Sequence, residues 1–193
     1  MKASKSIIWT LRDAPNDAVI ASHQLMMRSG MIRKLGNGLY AYMPLGYRSL
    51  MKVQKIIREE LDKAGLLEIK PTVIQPGDLW RESGEMLTAQ NRQGQDMVVS
   101  PTAEEAFTAL VREGISSYKQ LPFTLYQINT KYRDEIRPRY GVMRGREFTM
   151  MDAYSFDKDQ TDLDASYDNV AAAYHRIFKR MGLKTISVKA DTG

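Results

Sequence analysis

No cysteine occurs in the 193-residue chain, which excludes disulfides, thiolate metal sites and cysteine nucleophiles. Histidine is nearly as scarce: His23 and His175 lie far apart and have no ligand-like spacing, which argues against a zinc site. No apolar run approaches the roughly 18–20 residues that a membrane span needs. The start, MKASKSIIWTLRDAP, offers only a very short apolar stretch before Arg12 and Asp13. It does not read as a secretory signal, so the cytoplasm is the default location. Gly36 and Gly38 make no dinucleotide fingerprint, because no G-x-G-x-x-G follows a strand here, and there is no P-loop. Any ATP site must therefore be of another design.

What is present is ordinary globular composition, with 43% hydrophobic and 26% charged residues, so the chain can bury a real core. Its length suggests one domain, or one plus a fragment. The 28 basic and 23 acidic residues leave a net charge of +5, which permits a polyanionic partner without predicting one.

Asn16 or Asp17 can cap a short helix through AVIASHQLMMRSG, which Gly30 would stop. LGNGLYAY reads as a Gly-Asn-Gly turn leading into a short strand. Pro44 opens the best helix, PLGYRSLMKVQKIIREELDKAG, whose stripe of Leu50, Val53, Ile57 and Leu61 recurs at three- and four-residue steps. That stripe is either core or interface. LLEIKPTVI follows as a strand, with Pro71 marking a sheet edge or a bulge. DMVVSPTAEEAFTALVREG reads as strand, break and helix. FTLYQINTKYRDE and REFTMMDAYSF are aromatic and β-branched, hence strands, and an arginine-rich loop joins them. The amphipathic helix DLDASYDNVAAAYHRIFKRMG precedes a last strand, LKTISVK. Strands in a consecutive run with helices set apart predict an α+β fold with a largely antiparallel sheet.

Two stretches carry possible chemistry. Five arginines (Arg133, Arg137, Arg139, Arg144 and Arg146) fall within fourteen positions, interleaved with Asp134, Glu135 and Glu147. On a strand, Arg133 and Glu135 would project from one face, a guanidinium fork for phosphate beside a carboxylate that can accept from an amino group. On the returning strand Arg144, Arg146, Phe148, Met150 and Asp152 share one parity. The hairpin is a nucleotide cradle or an exposed ion-pair ladder. In SPTAEEAF, Thr102 and Glu105 have capping-box spacing. Glu104 is then either an acid favourably placed at a helix start or an acceptor for a ligand ammonium.

TKYRDEIRPRYGVMRGREFTMMDAYSFD resembles motif 2 of the class II aminoacyl-tRNA synthetases, specifically those of the bacterial prolyl type. LMMRSGMIRKLGNGLYAYMPLGYRSLMKVQKIIREELDKAG and the strand with Pro71 resemble the motif 1 region; LWRESGEM and SPTAEEAF also match the family pattern. The resemblance implies a class II synthetase-like, mostly antiparallel sheet flanked by helices. It also implies that L-proline is activated with ATP and Mg²⁺ and transferred to tRNA(Pro). By that resemblance Arg133 binds the ATP α-phosphate and the substrate carboxylate, and Glu135 accepts from the adenine amino group. Arg144 holds the γ-phosphate end of a bent ATP, while Thr102 and Glu104 hold the proline ammonium. Asp152 and Tyr154 form the floor of the proline pocket, and the motif 1 region makes a homodimer.

Nothing in the sequence matches motif 3, the editing insertion or the anticodon-binding domain. Residues 1–193 are therefore expected to be the N-terminal part of the catalytic domain, incomplete at ADTG, about the first third of such an enzyme. The competing expectation is a non-catalytic synthetase-like module that binds RNA or a protein partner; retention of Thr102, Glu104, Arg133, Glu135 and Arg144 argues against it.

Overall fold

In the computed structural model the described residues are 5–80 and 87–188. Most of LWRESGEM and all of ADTG lie outside them.

Helix α1 (Ala21–Arg28) leads into a hairpin, β1 (Ile32–Gly36) and β2 (Leu39–Tyr42). The start of α1 corrects the expected cap. The helix begins after Ile20 with no side-chain cap, and Asp17 is drawn instead to Lys34 of β1, 2.6 Å away. The Gly-Asn-Gly turn leads into β2 as expected, and it also turns the chain back from β1, a strand the sequence reading did not include.

Helix α2 (Pro44–Lys63) starts with its proline in the first turn, where no N–H is needed, and ends before Gly65 at φ +79°. Its stripe divides between two roles. Leu61 is fully buried and Ile57 packs against the core, whereas Val53 is 39% exposed.

The expected strand LLEIKPTVI is split into β3 (Leu67–Glu68) and β4 (Ile74–Pro76), which belong to different sheets. Pro71 therefore lies between strands rather than inside one. It has no N–H to give a ladder, and its carbonyl accepts from Asn129 Nδ2 at 2.9 Å.

Strands β5 (Leu87–Gln90) and β6 (Asp96–Val99) complete a small antiparallel sheet in the order β4-β6-β5. Helix α3 (Glu104–Gly114) follows. The long hairpin of β7 (Phe123–Tyr132) and β8 (Glu147–Phe156) pairs from Phe123↔Phe156 to Tyr132↔Glu147. Beside β7 runs β3, in parallel, so this sheet is mixed and not wholly antiparallel. Helix α4 (Gln160–Arg180) is capped by the Asp159 side chain, which accepts from the Asp162 N–H at 3.0 Å. The expected last strand is not formed: residues 183–188 carry no ladder, and Ile186 is 87% exposed.

One face of β7–β8 sends Tyr126, Ile128 and Met151 against α2 and α4, where they meet Leu61, Ala173 and Ile177. Burying a leucine of this kind contributes about 1.5–3 kcal/mol. A buried carboxylate ties the two helices together. Glu60 of α2 accepts from Arg176 at 2.9 Å, Arg180 at 2.8 Å and Lys63 at 3.1 Å. The opposite face of the hairpin carries the polar side chains Gln127, Asn129 and Lys131. Among the described residues no helix is long and apolar enough to cross a membrane.

Candidate active site

Alternation along β7 separates its two faces. Tyr126 and Ile128 face the core, so Gln127, Asn129 and Lys131 must face the other way, and all three are buried. Their partners across the ladder are Asp152, Met150 and Phe148. The result is a polar floor on a sheet, which is costly unless its groups are mutually satisfied.

They largely are. Asp152 Oδ2 accepts from Gln127 Nε2 at 2.8 Å and from the Tyr154 hydroxyl at 2.6 Å, with Lys131 Nζ 3.5 Å away. Asp152 Oδ1 is buried without a partner. Burial pushes the Lys131 ammonium below its ordinary value, a shift that Asp152 opposes. Burial also raises the Tyr154 phenol, and its bond to Asp152 raises it further, so it stays a proton donor.

The segment between β6 and α3 sits on this floor. Tyr132 N–H donates to Ser100 O at 3.2 Å and Arg133 Nε to Pro101 O at 3.2 Å. The Ala103 N–H donates to the Tyr154 hydroxyl oxygen at 3.2 Å, and Thr102 Oγ1 lies 3.5 Å from it. Phe107, fully buried, packs its ring 4.5 Å from that of Tyr154. Thr102 Oγ1 donates to the Glu104 carboxylate. The capping-box expectation is thereby corrected: α3 has Ala103 at its N-cap with no side-chain cap bond, because the Thr102 hydroxyl is committed to Glu104.

Arg133 and Glu135 need a second correction. The ladder of β7 ends at Tyr132, and Glu135 N–H donates to Arg133 O at 2.7 Å, so the chain turns sharply and the two do not share a strand face. Arg144 and Arg146 likewise precede β8. Contacts within the loop do what the strand was expected to do. Arg133 lies over the Phe148 ring, 5.6 Å from its centre. Glu135 receives Arg144 through two nitrogens, at 2.8 and 3.2 Å, and also accepts from the Arg137 N–H at 3.0 Å. Those partners hold the Glu135 carboxyl below its ordinary value, and Glu135 in turn raises Arg144.

Thr102, Glu104, Asp152 and Tyr154 thus form one cluster, with Arg133 anchored beside it on Pro101. Glu135 and Arg144 form a second, more exposed pair on the loop. Sequence reasoning missed Gln127, Asn129 and Lys131. The local pattern is broken by Thr130, which makes 129–131 a polar run, so the face shows only through the pairing with Asp152 across the ladder. A cavity of about 860 Å³ between α3 and the β3–β7 edge is lined by Leu67, Ile69, Leu110, Ile115 and Phe123 among others. It holds none of these clusters. Among the described residues no group of three acidic or histidine side chains is placed to hold a metal ion.

The sequence family of the tRNA synthetase class II core domain (G, H, P, S and T) matches residues 87–193, and the chain belongs to that family. Over its whole length it is similar to bacterial proline–tRNA ligases. Identity is 58% with that of Treponema denticola and 56% with that of Polaromonas naphthalenivorans. The chain spans about a third (34%) of the length of these curated relatives. The fold is shared with a Giardia lamblia prolyl-tRNA synthetase solved with prolyl-adenylate, at TM-score 0.72 and 20% identity over 78% of this chain and 33% of that one. It is shared as well with a Cryptosporidium parvum enzyme solved with L-proline and AMP, at TM-score 0.75 and 16% identity over 87% of this chain and 36% of the other.

Proposed function

We propose that this chain is the N-terminal part, with motifs 1 and 2, of the catalytic domain of a proline–tRNA ligase, in which L-proline is activated with ATP and passed to tRNA(Pro). The observation that carries this reading is the seating of the Thr102–Glu104 segment on Asp152 and Tyr154, directly beside Arg133. A zwitterionic amino acid needs an anion for its ammonium and a guanidinium for its carboxylate. Glu104 and Arg133 are those two groups. Lys131 neutralises Asp152 in the floor, which leaves Glu104 as the acid free to meet the ammonium.

Glu135 and Arg144 read as the nucleotide pair, for the adenine amino group and the γ-phosphate. Their mutual salt bridge joins two groups with opposite demands on one ATP molecule, and binding ATP would part them. The proline carboxylate attacks the α-phosphorus, a new P–O bond forms, and the bond to the pyrophosphate oxygen breaks. The carboxylate is already nucleophilic, so no general base is required. Positioning and charge neutralisation by Arg133 and Arg144 supply the rate. A hydroxyl oxygen of the terminal tRNA ribose then attacks the prolyl carbonyl, the anhydride bond to the phosphate breaks, and AMP leaves with the hydroxyl proton passing to its phosphate. Mg²⁺ would arrive with the ATP phosphates, which supply most of its ligands.

The exposed first half of α2, with Leu45, Tyr47, Met51 and Val53, supports a homodimer through the motif 1 region, and a cytoplasmic location fits this activity. Proline-dependent exchange between ATP and pyrophosphate by the complete ligase carrying this chain tests the reading. Arg133→Lys should lose exchange nearly as fully as Arg133→Ala, because a point charge does not replace the planar fork. A lysine variant close to wild type would remove Arg133 from the role given to it.

A further inference from the structure

The loop between β7 and β8 is seated on a second part of the fold, and the seat involves residues with no role so far. Arg146 N–H donates to the Gly38 carbonyl in the β1–β2 turn at 2.8 Å. A Cβ on Gly38, whose φ is +74°, would lie 2.7 Å from Pro138 Cβ and 3.1 Å from Arg146 Cγ. From the loop side, a Cβ on Gly145 would come within 2.9 Å of Gly38 O. Gly141, at φ +63°, would place a Cβ 2.7 Å from Cδ2 of His23 in α1. Three glycines, on both sides of one contact, are thus needed for the backbones to approach this closely.

His23 is 3% exposed, its ring edge-on to Tyr40 with Nε2 3.3 Å from the Tyr40 hydroxyl. A single buried imidazole wedged between a hairpin and a glycine is a rigid stop against which the loop packs.

Resting on the reading of Glu135 and Arg144 as ATP-binding groups, we infer that the β1–β2 turn and His23 are positioning residues for the nucleotide half of the reaction. The contact points Pro138 and Gly141 lie between Glu135 and Arg144, and Arg146 follows just after. Arg139 N–H donates to Arg144 O at 3.0 Å, and Arg146 Nε donates to Glu135 O at 3.1 Å, so the seat is tied by backbone to both members of the pair. Thr102 and Glu104, by contrast, are held by Tyr154 and each other. Arg133 is joined to the loop as well, its N–H donating to Arg146 O at 2.8 Å, but its guanidinium is held on Pro101 O, so loss of the seat should displace the ATP contacts more than the proline contacts.

Limited trypsin digestion tests the seat independently of activity, because the loop carries Arg139 and Arg144, whereas the Arg137–Pro138 bond resists trypsin. His23→Ala and Gly38→Ala should speed cutting at these arginines selectively, while His23→Gln, which keeps bulk and a partner for Tyr40, should stay near wild type. Unchanged cutting, or cutting spread evenly over the chain, overturns the proposal. In the complete ligase, pyrophosphate exchange with His23→Ala should show a KM for ATP about tenfold higher, with the KM for proline within about twofold. An equal rise in both, or none, overturns the positioning role even when the loop is released. If the unaltered ligase shows no proline-dependent exchange, the functional reading falls, and the ATP part of the inference with it. The proteolysis result still decides whether the seat exists.

Discussion

The Tyr154 hydroxyl donates to Asp152 Oδ2 at 2.6 Å and accepts from the Ala103 N–H at 3.2 Å, so one phenol joins the sheet floor to the segment that carries Thr102 and Glu104. Floor and segment come from residues some fifty positions apart in sequence. The phenol acts alongside the Tyr132 N–H bond to Ser100 O and the Arg133 Nε bond to Pro101 O in holding the two together.

Tyr154→Phe keeps the ring against Phe107 and removes only that oxygen. The Ala103 N–H is left without its partner, a loss of about 1–3 kcal/mol. The expected outcome is a higher KM for proline with the KM for ATP little changed, measured by pyrophosphate exchange in the complete ligase. A change confined to ATP would separate the phenol from the amino-acid pocket.

Lys131→Met removes the ammonium beside Asp152 and keeps the stem volume. Breaking one partner of a buried pair typically costs about 3–5 kcal/mol, whereas removing both charges is far milder. Denaturant unfolding should show a marked loss for Lys131→Met and recovery of most of it in the double variant with Asp152→Asn. Additive losses would mean that the two charges do not interact.

Much of this arrangement could be read from the residues, and the failures share a cause. Helices α2 and α3 and the β7–β8 hairpin were legible because period and punctuation agree: Pro44 before one helix, Gly65 after it, and two aromatic, β-branched runs around a charged loop. Thr102, Glu104 and Arg133 stood out through the family resemblance. What failed depended on contacts across the chain. Asp17 was available as a cap until Lys34, seventeen residues on, claimed it. Thr102 had capping-box spacing, but Glu104 took its hydroxyl. YRDE carries strand spacing, yet the Glu135 N–H turns back to Arg133 O. Lys131 reads as a solvated lysine in any local window, and only Asp152 on the neighbouring strand explains its burial.

Glu60 gives a pH dependence of stability. Hydrogen bonds from Lys63, Arg176 and Arg180 hold its carboxyl down at about 2, against an ordinary value of 4.5. A depressed folded value means that the contribution is fully present above pH 4.5 and is lost as the pH falls toward about 2. Acid unfolding followed by circular dichroism should therefore steepen in that window, and Glu60→Gln should be less stable at neutral pH and flatter through it. An identical acid profile for the variant would remove Glu60 as the linkage group.

Glu104→Gln tests the central claim most directly, because it changes one charge in the segment assigned to the proline ammonium. Loss of a charge-assisted hydrogen bond is worth roughly 1.5–3 kcal/mol. In steady-state pyrophosphate exchange by the complete ligase, the variant should raise the KM for proline by roughly ten- to a hundredfold and leave the KM for ATP nearly unchanged. A larger effect on ATP than on proline would contradict the assignment of Thr102, Glu104 and Arg133 as the proline site.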